Sequence, residues 1–131
     1  MYMLDTNICI YINKNNPPQV LEKFRSIPLN QICMSSITYA ELFHGAMKSE
    51  QVAKNLEKIT KLKTMISILP FDELAAQQYG IIRANLEKRG LIIGSNDLLI
   101  AAHALSENCI LVSNNLREFN RVENLRTENW L

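Results

Sequence analysis

The chain has 131 residues, of which 47% are hydrophobic and 21% are charged. These values are typical of one globular domain with its own core, and they exclude a disordered or fibrous chain. The net charge of +1 lacks the clear basic excess that most nucleic-acid-binding proteins carry. No apolar run approaches the roughly 20 residues that span a bilayer, and the first residues lack the features of a signal peptide, so we expect a cytoplasmic protein.

Short apolar runs alternate along the chain with segments whose apolar residues recur at helical spacing. In chain order, the predicted elements are a strand at 2–4, helices at 6–12 and 20–24, a strand at 31–35, helices at 37–47 and 52–62, a strand at 65–69, helices at 72–90 and 94–105, and strands at 109–112 and 125–128. Thr6 or Asn7 is expected to cap the first helix, and Asp72 the fifth, which ends at Gly90. Apolar strands that alternate with helices predict a parallel sheet covered on both faces. We therefore expect one domain over residues 1–131, with three α/β/α layers and a mainly parallel sheet of about five strands.

The three cysteines and two histidines form no disulfide or metal pattern. Cys9, Cys33 and Cys109 lack a Cys-x-x-Cys spacing and stand in apolar surroundings, which predicts buried thiols. Glu41-x-x-His44 matches half of a carboxylate-bridged di-iron site, but the chain has no second such pair. We therefore expect no disulfide, zinc site or di-iron centre.

Three acidic residues fall near the expected carboxyl ends of strands, where open α/β sheets bind their ligands. Asp5 ends the first strand, Glu41 lies about one turn into the helix after the second strand, and Asp97 lies in the first turn of the helix after Gly94. Three carboxylates at one edge repel one another unless a cation lies between them. Oxygen ligands of this kind select Mg²⁺ or Mn²⁺, which activates water and stabilises a phosphoryl transition state.

Each acid also has a structural interpretation. Asp5 and Asp97 stand where helix caps are common, and Glu41 fits an exposed helix position. Asp97 fits this interpretation least well, because the wholly apolar run at 98–102 follows it directly.

Four motifs stand in order along the chain: MLDTN at 3–7, SSITYAEL at 35–42, GSNDLLIAAHA at 94–104 and LVSNNLREF at 111–119. Together with LRTENW at 125–130, they resemble the PIN-domain family, and specifically the VapC-type toxins of bacterial toxin–antitoxin pairs. The resemblance spans the whole chain, with the motifs in the family's order and at compatible spacings.

The resemblance implies a metal-dependent endoribonuclease of a type II toxin–antitoxin system, and several such toxins cut initiator tRNA in its anticodon stem-loop. It implies that Asp5, Glu41 and Asp97 hold Mg²⁺ or Mn²⁺, and that Thr6 and Ser113 support these acids. It also implies a VapB-type antitoxin whose C-terminal segment lies across the active-site groove. Such toxins usually form a homodimer, which joins the antitoxin in a heterotetramer or larger complex and reaches operator DNA only through the antitoxin.

Position 115 departs from the family pattern, because many members have a fourth acid where this chain has Asn115. Glu118, three residues later, can reach the same rim from a turn of helix. Either Glu118 or Asn115 therefore completes the site, and the number of metal ions stays open. An amide brings no charge, so a site with three acids would bind a cation less tightly.

Basic residues around the acidic pocket are the candidates for contacts with RNA phosphates. Arg117 and Arg121 lie in and beside the fourth motif, and five lysines outnumber two glutamates between Lys48 and Lys63. The lysine-rich segment also fits a solvated helix face.

An exposed apolar groove between the early helices would suit the antitoxin. Its candidate residues, each of which also fits ordinary core packing, are Phe24, Tyr39, Leu42 and Phe43.

Four other interpretations use the same acids. A phosphoacceptor receiver domain needs an acidic pair after its first strand and a lysine after its last inner strand, and the chain has neither. An aspartate-nucleophile phosphatase needs Asp-x-Asp, whereas the chain has Asp5-Thr6-Asn7. A PIN fold that binds a partner without catalysis, and a nuclease that acts on DNA, stay open as alternatives.

Overall fold

Five strands are separated by three pairs of α-helices and one single α-helix along residues 1–131, all of which are described by a computed structural model. The strands are β1 (Tyr2–Leu4), β2 (Ile32–Ser35), β3 (Ser67–Leu69), β4 (Ile110–Val112) and β5 (Thr127–Glu128). The helices are α1 (Thr6–Lys14), α2 (Pro18–Ser26), α3 (Ser36–Met47), α4 (Val52–Met65), α5 (Glu73–Arg89), α6 (Ser95–Ser106) and α7 (Leu116–Phe119). Each predicted strand and helix is present, and α7 is an additional single turn. No helix has both the length and the apolar character of a membrane span.

The five strands form one parallel sheet in the order β3-β2-β1-β4-β5. In the central strand, Met3 pairs with Cys33 of β2 on one side and with Leu111 of β4 on the other. Because all strands run the same way, their carboxyl ends lie along one edge of the sheet. The prediction of a mainly parallel sheet of about five strands is confirmed.

Helices cover both faces of the sheet, as the continuous apolar strands predict. Successive side chains of a strand point to opposite faces, so Leu4 packs under α1 to α4 while its neighbour Met3 packs under α5 to α7. β2 is buried along its whole length. The three cysteines are free and buried, as expected.

Three details differ from the sequence-based expectation. Asp5, and not Thr6 or Asn7, caps α1: its backbone is extended and its Oδ1 accepts a hydrogen bond of 3.0 Å from the Ile8 amide. α4 continues through Met65, so β3 starts only at Ser67. Lys48 lies just past the end of α3, so the five lysines do not share one helix face.

Candidate active site

Acidic and amide side chains from four segments meet at the carboxyl edge of the sheet. Asp5 directly follows β1, Glu41 lies in α3 after β2, and Asp97 lies in the first turn of α6. Burial is the largest cause that raises the pKa of Asp5 and of Asp97. The charge of Glu41 adds to the rise for Asp5, and the charge of Asp5 adds to the rise for Asp97, so the three carboxylates share one electrostatic environment.

Asp5 is the most deeply placed of these acids, with 5% of its surface exposed. Burial raises its pKa, while a hydrogen bond from the Ser113 hydroxyl lowers it in part. Ser113 is itself buried, and its Oγ accepts a hydrogen bond of 2.9 Å from the backbone N–H of Asn115. The capping interpretation of Asp5 is therefore correct, but the cap uses Oδ1 alone and leaves the rest of the carboxylate at the site.

Glu41 is held by donors from two other elements. Thr6 Oγ1 donates to Glu41 Oε1 over 2.6 Å, and Asn96 Nδ2 donates to Glu41 Oε2 over 3.1 Å. Thr6 was expected to support the acids, but Asn96 was not. An exposed asparagine in the first turn of a helix has many possible partners, and the sequence does not indicate which one it contacts. The two donors fix the orientation of the Glu41 carboxylate between α1 and α6.

Asn115 bridges the two remaining acids. Its Nδ2 donates to Asp97 Oδ2 over 3.0 Å and to Glu118 Oε2 over 2.6 Å. The backbone N–H of Gly94 donates to Glu118 Oε1 over 3.2 Å. Glu118 therefore reaches the rim of the site from α7 and lies beside Asn115, the position of the family's fourth acid. Asp97 makes no cap, because α6 begins after Gly94 without any side-chain capping bond.

The pKa values of Asp97 and Glu118 are shifted in opposite directions. Burial, followed by the hydrogen bond and charge of the neighbouring Glu118 carboxyl, raises the pKa of Asp97 from its ordinary value of 3.8 to about 6. The hydrogen bond from Asn115 is the main cause that lowers the pKa of Glu118. Asp97 is thus the acid of this pair that keeps its proton to higher pH.

The raised pKa of Asp97 predicts how stability depends on pH. The folded state binds the Asp97 proton more tightly than the unfolded state does. The contribution of this proton to the free energy of unfolding is therefore fully present below about pH 4 and is lost as the pH rises through about 6. We expect the melting temperature in EDTA to fall less between pH 4 and pH 7 for Asp97→Asn than for the wild type. Glu73→Gln, an exposed change in α5, is the control and should keep the wild-type profile. Parallel profiles for Asp97→Asn and the wild type would contradict this assignment.

The donor set of the site fits a hard divalent cation. Asp5, Glu41, Asp97 and Glu118 offer only oxygen, and none forms an ion pair with a lysine or arginine. No group of three His, Cys, Asp or Glu side chains is arranged to hold a metal ion as the side chains stand, and amides of Asn96 and Asn115 donate to the carboxylates instead. Burial and, to a smaller extent, repulsion between the carboxylates raise the pKa of Asp5 and Asp97, and a cation would offset this cost of their ionised forms.

The two arginine candidates have different surroundings. Arg121 Nη1 donates to the carbonyl oxygens of Leu91 and Ile92, at 3.5 and 3.1 Å, which ties the turn after α7 to the loop before α6. Arg117 is exposed on α7. Contact of either arginine with RNA stays a prediction.

An apolar groove of about 620 Å³ lies between α1, α2 and α4. Of the four residues expected to line such a groove, only Phe24 does so. Leu42 is buried in the core, and the rings of Tyr39 and Phe43 pack against each other with centroids 6.0 Å apart. These three residues lie on α3, which does not border this groove, although Leu42 lines a neighbouring cleft between α1, α3 and α4. Their contact with an antitoxin stays a prediction.

Comparisons with known proteins agree with this fold along nearly the whole chain. The family model described as PIN domain matches residues 2–125. The chain is 51% identical to Ribonuclease VapC2 of Haemophilus influenzae, over 99% of this chain and 98% of that protein. It is 47% identical to the tRNA(fMet)-specific endonuclease VapC of Shigella flexneri, over 98% of this chain and 97% of that protein.

A solved structure gives the same result for the fold. The chain resembles VapBC2 from Rickettsia felis, crystallised with a DNA fragment from its promoter, with a TM-score of 0.93 and 42% identity over 99% of this chain and 98% of that chain. The motifs, the parallel sheet and these similarities agree, and the chain belongs to the PIN-domain family and, within it, to the VapC ribonucleases.

Proposed function

We propose that this chain is the toxin of a type II toxin–antitoxin system and cleaves RNA at its carboxylate site with Mg²⁺ or Mn²⁺. One observation carries the proposal: acids from separate segments converge on one sheet edge with no basic side chain paired to them. Carboxylates that repel one another are expected to lie this close where a bound cation offsets the repulsion. Asp5, Glu41 and Asp97 are the proposed ligands, and Glu118 is the proposed fourth acid in place of Asn115.

The residues of the chain have distinct roles in this proposal. A bound divalent cation would acidify the attacking water and offset the negative charge that develops on the phosphate. Asp5 is fixed by its own capping bond, and Glu41 is oriented by Thr6 and Asn96. Asp97 would release its proton when the site is filled, so cleavage should strengthen as the pH rises through about 6.

The proposed substrate is initiator tRNA, cut in the anticodon stem-loop in the cytoplasm, where tRNA is found. Support comes from the Shigella flexneri relative, whose name gives tRNA(fMet) as its substrate and which is 47% identical over nearly the whole chain. An unpaired anticodon loop presents its backbone and bases to a protein more readily than a duplex does.

The proposed partner is a VapB-type antitoxin. The related Rickettsia felis structure is a VapBC complex on promoter DNA. The groove between α1, α2 and α4 offers apolar side chains such as Leu21, Phe24 and Ile27, which suit the apolar face of a peptide segment. We further propose a toxin homodimer that joins the antitoxin in a heterotetramer or larger assembly, with operator DNA contacted through the antitoxin.

Expression in cells tests this function. Wild-type protein without antitoxin should arrest growth, and Asp5→Ala, Glu41→Ala and Asp97→Ala should each abolish the arrest while antitoxin binding is kept. Glu73→Gln, an exposed acid on α5, is the control and should stay toxic. Sequencing of RNA ends should map cuts to the anticodon loop of initiator tRNA. Growth arrest by all three site variants would overturn the metal mechanism, and cuts confined to other RNAs would overturn the proposed substrate.

A further inference from the structure

A second cleft, the Glu41 cleft, lies beside the carboxylate site and shares one residue with it. It has a volume of about 240 Å³ and lies between α1, α3 and α4. Its floor is apolar, whereas its rim carries Lys14, Lys58 and the amide side chains of Asn13 and Asn55. Glu41 lines one end, so whatever occupies this cleft also borders the acids.

The charges of the cleft favour an anionic ligand. Lys14 and Lys58 form no ion pair with any acid, so their ammonium groups are available. Glu41 is the single acid of the lining, and its two oxygens are engaged by Thr6 and Asn96. The proposed function places phosphodiester cleavage at the neighbouring carboxylate site. Lys14 and Lys58 are therefore suited to bind the RNA phosphates on either side of the cleaved bond.

The size of the cleft limits its occupant to one small group. Its volume is below the roughly 300 Å³ at which pockets for drug-sized molecules begin. Proteins that read RNA in loops splay out single bases and bind their edges with polar side chains. The amide of Asn13 can donate and accept such bonds, and Asn55, whose Nδ2 donates to Ser49 Oγ over 2.9 Å, still offers its Oδ1 and a second N–H. A Cβ placed on Gly45 would meet no atom within 4 Å, so this glycine leaves space open in the cleft wall.

We infer that the Glu41 cleft binds one splayed nucleotide of the RNA substrate next to the scissile phosphate, with Lys14 and Lys58 on the neighbouring phosphates. The inference rests on the proposed function and adds a substrate subsite to it. A peptide is the less suitable occupant, because the larger groove offers more apolar surface. The two clefts share Asn13 and Lys58, and the larger groove also carries Arg25 and Lys61, but only the Glu41 cleft is lined by an acid of the carboxylate site.

An RNA-binding assay under conditions without cleavage tests the roles of Lys14 and Lys58. The probe is a fluorescein-labelled RNA copy of the initiator-tRNA anticodon stem-loop, titrated in EDTA. The double variant Lys14→Gln/Lys58→Gln should bind it at least about tenfold more weakly, and the slope of log affinity against log salt should shrink by about 1.4, or about 0.7 for each phosphate that no longer meets a lysine. The control Lys54→Gln removes a lysine of α4 that lines no part of the cleft, and it should bind like the wild type.

Filling the space tests the nucleotide site separately. Gly45→Leu should weaken binding of the same RNA at least about fivefold and raise KM for cleavage, because its side chain would extend into the cleft. The matched control is Gly80→Leu, which makes the same change at an exposed helix position where a Cβ also meets nothing within 4 Å. Melting curves of both variants confirm that each is folded.

The outcomes separate this inference from the proposed function. If the wild type neither binds nor cleaves RNA, both fail. If the wild type cleaves RNA and the cleft variants bind like their controls, the subsite alone is overturned. If Gly45→Leu keeps RNA binding but loses the antitoxin, the occupant is a protein segment and the inference is wrong.

Discussion

Replacing Asp97 with asparagine is expected to reduce the rate of RNA cleavage by at least about 1000-fold. Loss of a metal-binding carboxylate removes several kcal/mol of transition-state stabilisation, and about 4 kcal/mol corresponds to that factor. Asparagine keeps the shape of the side chain and an oxygen that accepts the bond from Asn115, so the loss should reflect charge. Single-turnover rates on labelled tRNA measure the effect. A rate within tenfold of the wild type would contradict a metal-binding role for Asp97.

The same variant should be at least as stable as the wild type when metal is absent. Burial and the nearby Glu118 carboxyl make the ionised form of Asp97 unfavourable, as its raised pKa shows, and the amide removes this cost near neutral pH. Added Mn²⁺ should stabilise the wild type by about 2.7 kcal/mol at 100 times its Kd, and the variant by much less. Melting curves with Mn²⁺ and with EDTA give both comparisons. Equal stabilisation of the two proteins by Mn²⁺ would place the cation elsewhere.

Replacing Phe119 with alanine is expected to have the largest effect on stability. Phe119 is completely buried in the core beneath α5 and α6, and it closes the single turn of α7 that carries Glu118. Truncation of a buried phenylalanine costs about 3–5 kcal/mol, which lowers the melting temperature by about 12–20 °C at this chain length.

An exposed apolar residue provides the control for this change. Leu74 lies on α5 with 61% of its surface exposed, so Leu74→Ala should change the free energy of unfolding by less than about 0.5 kcal/mol. Chemical denaturation of the two variants and the wild type measures the difference. If Phe119→Ala unfolds at the same denaturant concentration as Leu74→Ala, the packing assigned to α7 is wrong.

The positions of the acids follow from sequence because they depend on the order of strands and helices. Asp5 and Glu41 each follow an apolar strand, and parallel strands bring their carboxyl ends to one edge. Asp97 stands out because a charge directly precedes an apolar run, and every residue of the run at 98–102 except Leu99 is indeed buried. These features are local patterns joined by a simple topological rule.

The hydrogen-bonding partners of the acids do not follow from sequence in the same way. Asn96 and Asn115 are exposed or half-buried amides whose donors find Glu41 and Asp97 only once α6, α3 and α7 are packed. The sequence offers Asp5, Thr6 and Asn7 as caps of α1, and only the structure shows that Asp5 makes the capping bond to the Ile8 amide. The Glu41 cleft depends on packing between three helices, and no motif marks it.

Cleavage of bulk tRNA by purified, antitoxin-free protein tests the central claim most directly. The wild type and Asp97→Asn are compared on a gel with Mg²⁺, with Mn²⁺ and with EDTA, and the ends of any products are sequenced. We expect discrete cuts in the anticodon loop of initiator tRNA, made by the wild type only when metal is present. Cuts of the same strength in EDTA or from Asp97→Asn, or no cuts from folded wild-type protein with metal, would contradict a metal-dependent ribonuclease at this carboxylate site.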